Sequence, residues 1–295
     1  MMKTIGSFFL ILVLAMCTPS APVYDFDLQG HRGARGLAPE NTIPSFLIAI
    51  DHGVDTIELD LVVTSDRKLI VSHEPWFDYK ISTKPDGNPV SEEEQMDFNI
   101  FEMSFEETQV FDVGIRGHEL FPEQQPMAVT KPLLRDAVRE IDAYVEELGF
   151  EPVWYNVETK SRPEWYGVMT PEPEEFAKLL YDELKELGIL DRVIVQSFDP
   201  ATLIAFRKLD DSVKQAMLVF EETPMQTYLD ILGYTPEIWS PYYPLVTSQL
   251  IRDAAIKEMK VIPWTINERD DMIRLLEMGV DGIITDYPDR AKGLK

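Results

Sequence analysis

Short apolar runs rich in β-branched and aromatic residues recur along the chain. They lie at Tyr24–Gly30, Thr56–Val62, Val153–Val157, Arg192–Ser197, Gln215–Val219, Ile238–Pro241, Val261–Ile266 and Gly282–Thr285. Between most of them, apolar residues fall three and four apart, as on one face of a helix. Such stretches are Ile43–His52, Leu133–Leu148, Glu174–Leu187, Pro200–Leu209, Ser248–Met259 and Arg269–Met278. Strands alternating with helices predict right-handed crossovers and a parallel sheet, hence an α/β fold. Eight such units in about 270 residues predict a (β/α)8 TIM barrel. A doubly wound open sheet is the competing arrangement. Against it, no G-x-G-x-x-G follows the first strand and no G-x-x-x-x-G-K-[ST] occurs.

A ninth run, Lys68–His73, breaks the alternation. Only Thr64-Ser65-Asp66-Arg67 separates it from the second strand, too few residues for a crossover helix, so it predicts a hairpin arm. A tight turn centred on Asp66-Arg67 would set His73 opposite Asp60, at cross-strand distance. Residues 75–130 then show weak periodicity, many acids and Pro75, Pro85, Pro89, Pro122 and Pro126. This predicts a loop-rich insertion able to hold structure of its own, placed to cover a barrel mouth or to decorate the surface.

Composition narrows the partners. The formal charge is −25, which argues against a nucleic-acid groove or a polybasic membrane patch. A single cysteine excludes an intramolecular disulfide framework, and four histidines make a His-rich metal site a poor expectation. Between residues 80 and 125 there are 11 acids against 3 bases, a solvated surface rather than a site. At the N-terminus, Lys3 precedes an apolar run from Ile5 to Met16 and then Cys17-Thr18-Pro19-Ser20. That order predicts a secretory signal over residues 1–20 and an exported mature domain, 21–295, periplasmic or extracellular. The run is shorter than a spanning helix needs, so no transmembrane segment is expected in the mature chain. Cys17 stands where a lipid anchor would attach, although Met16 before it is larger than the usual residue; anchoring stays open.

The polar residues inside the strands carry the candidate chemistry. Glu58 and Asp60, two apart in Thr-Ile-Glu-Leu-Asp-Leu, share one face of a strand. Turned inward they need a cation; turned outward they are an ordinary solvated face. Glu158 ends the next barrel strand with Lys160 on the same face, as a third oxygen ligand or as a surface ion pair. Three carboxylates suit one divalent cation, Ca²⁺ or Mg²⁺, better than Zn²⁺. His31 ends the first strand, followed by Arg32, whose planar fork suits a phosphate, and by Gly33, which permits a sharp turn. His73 ends the hairpin arm. The two imidazoles could flank a substrate as acid and base, while a lone strand-end histidine is more often structural. Aldolase-type chemistry at Lys160 and a catalytically dead binding barrel are the competing readings. The nearby Glu158 weighs against the first, and the complete polar set against the second.

Taken in order, the motifs resemble the glycerophosphodiester phosphodiesterase family. They are Gln29-Gly30-His31-Arg32-Gly33, Ala38-Pro39-Glu40-Asn41-Thr42, Gly53-Val54-Asp55-Thr56-Ile57-Glu58-Leu59-Asp60, Thr64-x-Asp66, Val71-Ser72-His73-Glu74, Asn156-Val157-Glu158-Thr159-Lys160, Gln196-Ser197-Phe198, Trp264-Thr265-Ile266-Asn267 and Gly279-Val280-Asp281-Gly282-Ile283-Ile284-Thr285-Asp286-Tyr287-Pro288. The resemblance implies a TIM-barrel hydrolase that cleaves glycerophosphodiesters to sn-glycerol 3-phosphate and an alcohol. It implies Glu58, Asp60 and Glu158 as metal ligands, His31 and His73 as the acid–base pair, and Arg32 and Lys160 as phosphate-binding residues. Gln196, Phe198 and Trp264 would line the substrate mouth. It also implies attack by the glycerol 2-hydroxyl, through a cyclic phosphate, and an extra subdomain where the insertion falls. Glu74 departs from the aspartate usual in the family after the second histidine. A phospholipase of the same superfamily, acting on intact lipids, is the neighbouring alternative; exposed apolar loops at the mouth would favour it and the acidic insertion weighs against it.

Overall fold

In the computed structural model, which describes residues 23–295, the alternation resolves into nine strands and eight α-helices. The strands are β1 (Asp27–Gly30), β2 (Thr56–Val63), β3 (Leu69–Val71), β4 (Trp154–Thr159), β5 (Val193–Ser197), β6 (Lys214–Val219), β7 (Ile238–Pro241), β8 (Lys260–Val261) and β9 (Gly282–Thr285). The helices are α1 (Ile43–Asp51), α2 (Phe105–Thr108), α3 (Leu134–Leu148), α4 (Pro173–Leu187), α5 (Pro200–Leu209), α6 (Met225–Leu232), α7 (Ser248–Ile256) and α8 (Arg269–Met278). The expected segment 1–20 and Cys17 lie outside the described residues. Among those described, no helix is long and apolar enough to cross a membrane.

Eight strands run parallel in the order β8-β7-β6-β5-β4-β2-β1-β9, and β3 pairs antiparallel with β2. The expected strand Val261–Ile266 keeps ladder form only over Lys260–Val261. Pro263 has no N–H to give, so the regular pattern stops there. The ring still closes through backbone bonds from Asp281 N to Val261 O (2.9 Å), Ile284 N to Pro263 O (3.0 Å) and Ile266 N to Ile284 O (2.9 Å). The result is the TIM barrel the alternation predicts, not the doubly wound sheet. Helix α6 was not expected; its eight residues span barely two turns, too short a stretch for helical spacing to stand out.

Period-2 alternation divides the barrel residues between two environments. Ile57, Leu59, Leu61, Tyr155, Val157, Val195, Met217, Trp239 and Ile283 face outward and are buried under the helices. Helix α3 shows the matching stripe, burying Leu134, Ala137, Val138, Ile141 and Val145 at helical spacing. Each of the leucine, valine and isoleucine side chains contributes about 1.5–3 kcal/mol when fully buried, so this seam rather than helix propensity holds α3 in place. Facing inward, Ile194, Ala216, Ile238, Ile262 and Ile284 form an apolar plug. Beside it lies an amide layer. Asn156 Nδ2 donates to Gln29 Oε1 (2.7 Å) and to Gln196 Oε1 (3.1 Å), and Gln196 Nε2 donates to Glu58 Oε1 (2.7 Å).

The hairpin forms, but its register differs by one residue from expectation. Leu61 pairs with Val71, Val62 with Ile70 and Val63 with Leu69, and Ser72 N donates to Asp60 O (3.0 Å). Asp60 therefore stands opposite Ser72, not His73. The loop has three residues rather than two: Arg67 N closes a turn on Thr64 O (3.0 Å), Arg67 takes φ 60°, and Thr64 N then donates to Lys68 O (3.0 Å). His73 consequently lies just beyond the ladder.

The insertion has a small core of its own. Phe77, Ile81, Val90, Ile100, Phe111 and Val113 pack against Val62 and Ile70 on the hairpin, with Phe77 stacked on Phe111 at 4.1 Å. Its far end reaches the barrel mouth, where His118, Leu120 and Phe121 share a cavity with Arg32, Arg35 and His73. At the opposite face, Tyr24 N donates to Leu294 O (2.7 Å). Asp25, Phe26 and Lys295 line a cavity there with Trp154, Lys214 and Lys260, residues at the beginnings of the barrel strands.

Candidate active site

The C-terminal ends of the barrel strands carry the polar residues, as this architecture requires of a site. His31 follows β1, Glu58 and Asp60 lie in β2, His73 follows β3, and Glu158 and Lys160 lie at the end of β4. Gln196 and Phe198 come from β5 and its exit, and Trp264 from the segment after β8. His31, Arg32, Glu58, His73, Glu158, Gln196, Phe198 and Trp264 line one cavity of about 140 Å³. Asp60 and Lys160 lie directly behind its wall, bonded to residues that line it.

The β1–α1 loop is tightly built. Arg32 (φ 50°) and Asn41 (φ 56°) hold left-handed backbone, a strained state for residues with side chains. Three bonds stabilise it: Arg32 N to Glu58 Oε2 (2.8 Å), Asn41 N to Arg32 O (3.0 Å) and Asn41 Nδ2 to Asp60 Oδ2 (2.8 Å). Gly33 at φ 85° cannot carry a side chain, because a Cβ would come within 2.5 Å of Ser45 Oγ.

Glu58, Asp60 and Glu158 are buried and inward, which removes the solvated-face alternative. One oxygen from each lies within 4.8 Å of the others. Burial, with Asp60 and Glu158 beside it, pushes Glu58 well above the usual carboxylate range. Burial raises Glu158 to about 7 although Lys160 opposes the shift. Asp60 goes the other way: burial alone would raise it, but Lys160, His73 and Arg32 hold it low. Lys160 Nζ stands 2.7 Å from Glu158 Oε1 and 3.6 Å from Asp60 Oδ1, and Arg32 Nε stands 3.3 Å from Asp60 Oδ2. Two side-chain cations thus neutralise part of the triad and leave Glu58 without an ion-pair partner among the described residues. An additional divalent cation fits this charge deficit, and the all-oxygen donor set suits a hard one.

The two histidines are held alike from different supports. His31 Nδ1 lies 2.6 Å from Asp286 Oδ1, and His73 Nδ1 lies 2.5 Å from Glu74 Oε1. Asp286 sits one residue beyond β9 and also receives Arg35 Nε (2.9 Å) and Nη2 (3.2 Å) and Asn267 Nδ2 (2.7 Å). Burial would raise Asp286, but Arg35 and His31 hold it well below the ordinary range; Glu74 is lowered against burial by His73 and Arg32. Both carboxylates are therefore ionised and can only accept, so each Nδ1 carries a proton and each Nε2 is left for the cavity. Burial, with Arg35 and Arg32 nearby, lowers His31 to about 4 despite Asp286. His73 is lowered too, by burial, Arg32 and Lys160. Two neutral imidazoles, a cationic rim and a carboxylate triad on one small cavity can move protons around a bound anion.

Arg32 is more committed than its sequence position suggests, since its Nη1 donates to Glu40 Oε1 (2.7 Å). Asp286, Arg35, Glu40 and Asn41 were not singled out as site residues. They are loop residues brought in by long-range packing; only the place of Asp286 at a strand exit was a signal. On the other wall, Phe198 and Trp264 meet edge to face at 5.4 Å, and Trp264 Nε1 donates to Ser240 O (3.0 Å). Phe220, more than half exposed, stacks on Trp264 at 6.0 Å, so the aromatic wall continues outward.

Residues 31–290 match the model of the glycerophosphoryl diester phosphodiesterase family. A glycerophosphodiester phosphodiesterase of Caldanaerobacter subterraneus is 28% identical over 88% of this chain and 93% of its own length. One from Bacillus altitudinis is 29% identical over 88% and 94%. Among solved structures, one of the same family name from Silicibacter pomeroyi superposes with a TM-score of 0.79 at 26% identity, covering 94% of both chains. A phosphodiesterase from Oleispira antarctica, solved with its product sn-glycerol 3-phosphate, shares the fold with a TM-score of 0.71 at 21% identity, over 91% of this chain and 96% of that one.

Proposed function

The chain belongs to the glycerophosphoryl diester phosphodiesterase family and is a hydrolase of phosphodiesters; from that premise we propose a mechanism in which His31 and His73 exchange protons across a metal-dependent site. The substrate is a glycerophosphodiester, and the products are sn-glycerol 3-phosphate and an alcohol. One observation carries the reading. Two imidazoles, each with Nδ1 tied to an ionised carboxylate, present Nε2 to a cavity that also meets the Glu58–Asp60–Glu158 triad.

The protein's own groups account for the proton traffic. One histidine takes the proton of the glycerol 2-hydroxyl as its oxygen bonds phosphorus. The other gives a proton to the departing alkoxide as the old P–O bond breaks. The resulting cyclic phosphate is opened by water with the two roles exchanged, which returns both rings to their starting states. Arg32 and Lys160 supply positive charge beside the phosphoryl oxygens. Glu58, Asp60 and Glu158 would hold one Ca²⁺ or Mg²⁺, which would supply Lewis-acid stabilisation of the phosphoryl oxygens. Gln196 holds Glu58 in place, while Phe198 and Trp264 form the apolar wall on which the glycerol rests.

The proposal includes export, with residues 1–20 removed and 21–295 forming the enzyme; N-terminal sequencing of the mature protein tests it. The chemistry is tested by glycerol 3-phosphate release. His31→Ala and His73→Ala should each lose about 10²–10⁴ in kcat while remaining folded. EDTA should abolish turnover, and a 2-deoxy-glycerol diester should not be cleaved. Near-parental turnover in both histidine variants overturns the assignment.

A further inference from the structure

The proposed mechanism makes no use of two features, one at the exit of the insertion and one within it. The first is Lys131, which is only 4% exposed. Among the described residues no carboxylate stands within ion-pair distance of it. Its Nζ donates to Ser72 Oγ (2.8 Å) and lies 5.5 Å from the centre of the Phe77 ring. A buried ammonium of this kind is costly and needs a compensating role. Ser72 Oγ passes the interaction on, donating to Glu74 O (2.6 Å). Beside Lys131, Pro132 O receives Val71 N (2.8 Å), so the end of the insertion grips the hairpin where the His73–Glu74 turn begins.

The second feature is the segment Phe121–Gln125. Gln124 Nε2 donates to Arg35 O (2.7 Å), and Gln125 N donates to Leu37 O (2.8 Å). The Arg35 guanidinium carbon sits 4.5 Å over the Phe121 ring. The same guanidinium makes the two bonds to Asp286, and Asp286 holds His31. Residues 121–125 of the insertion and Lys131 at its exit thus each reach the support of a different histidine.

We infer that the insertion braces the catalytic pair. Lys131 positions His73 through Ser72 and the Glu74 turn, and Phe121 with Gln124 positions His31 through Arg35 and Asp286. These are positioning residues; none needs to touch substrate. The inference rests on the proposed roles of His31 and His73. It accounts for a buried lysine that a lid alone would not require.

The test measures kcat and KM by glycerol 3-phosphate release from the intact chain. Lys131→Met keeps volume and removes the donor. It should lower kcat about 10–100-fold, the usual effect of losing an outer partner of a site residue, with KM unchanged within twofold. Ser72→Ala should do the same and serves if Lys131→Met fails to fold. In a His73→Ala background either substitution should have no further effect, because the ring it positions is gone. The double change Phe121→Leu with Gln124→Ala should behave likewise, becoming silent on His31→Ala. Parental kcat in these variants overturns the brace, and so does an equal loss in both backgrounds, which marks general damage. Full turnover by His31→Ala and His73→Ala themselves would instead overturn the reading of the site.

Discussion

Asp286→Asn isolates the role of one carboxylate with almost no change of shape. The native group accepts four donors, from His31, from two nitrogens of Arg35 and from Asn267. An amide has one oxygen, so its NH₂ must face one side of this set. If it faces His31, the ring switches tautomer, Nδ1 becomes an acceptor, and Nε2 carries the proton and can no longer take one. If it faces Arg35 Nη2 and Asn267, two donors lose their acceptor at about 1–3 kcal/mol each, and the tautomer survives. In both cases the imidazolium formed during turnover loses its charged partner, worth about 1.5–3 kcal/mol or about 10–200-fold in rate. Adding the tautomer effect, kcat should fall about 10²–10⁴-fold with little change in KM. The assay is steady-state release of glycerol 3-phosphate, with thermal melts to confirm folding. In the His31→Ala background the substitution should change kcat little, since the two residues act as a unit. A folded Asp286→Asn enzyme within threefold of the parental kcat would refute the reasoning.

Three other outcomes follow from the same structure. Added Ca²⁺ or Mg²⁺ at one hundred times its Kd should stabilise the protein by about 2.7 kcal/mol in thermal or urea melts, and Glu58→Gln should remove the effect. His31 at about 4 in the folded state, against an ordinary 6.5, means that the unfolded chain takes its proton first as pH falls. Its contribution should therefore cost about 3 kcal/mol of stability between pH 6.5 and 4 and nothing above; urea midpoints of the parent and of His31→Gln should diverge over that window, the variant falling less steeply. Trp264→Ala removes the wall that Phe198 and Phe220 pack on and should raise KM at least tenfold with a smaller change in kcat.

The parts legible in sequence were those ruled by local periodicity. Glu58 and Asp60 could be placed on one face because a strand alternates, but whether that face turns inward stayed open in sequence and is decided only by the folded barrel, where Ile57, Leu59 and Leu61 take the helix side. The hairpin was legible in kind and not in register, because one left-handed residue, Arg67, lengthens the loop by one and slides the pairing. Strand β8 was overextended because an apolar run does not reveal the effect of Pro263 on the ladder. Asp286 and Lys131 were missed for a different reason. Each acts on a residue far away in sequence, His31 at a separation of 255 and Ser72 at 59, and no periodicity encodes such pairs. The motifs quoted from the chain included Asp286, Glu40 and Asn41, yet only the folded barrel assigns them partners.

The meeting of Tyr24 with Leu294 has a consequence for handling the protein. Both ends of the described chain leave from the face where the barrel strands begin, opposite the histidines. A tag, a carrier domain or a surface linker joined at either end would therefore hold the mouth pointing away from its support. The two ends are also close enough for a short peptide to join them, and new ends could be opened at an exposed loop such as Asp86–Asn88. The barrel could then be circularly permuted or immobilised on a bead with its catalytic rim facing the solution.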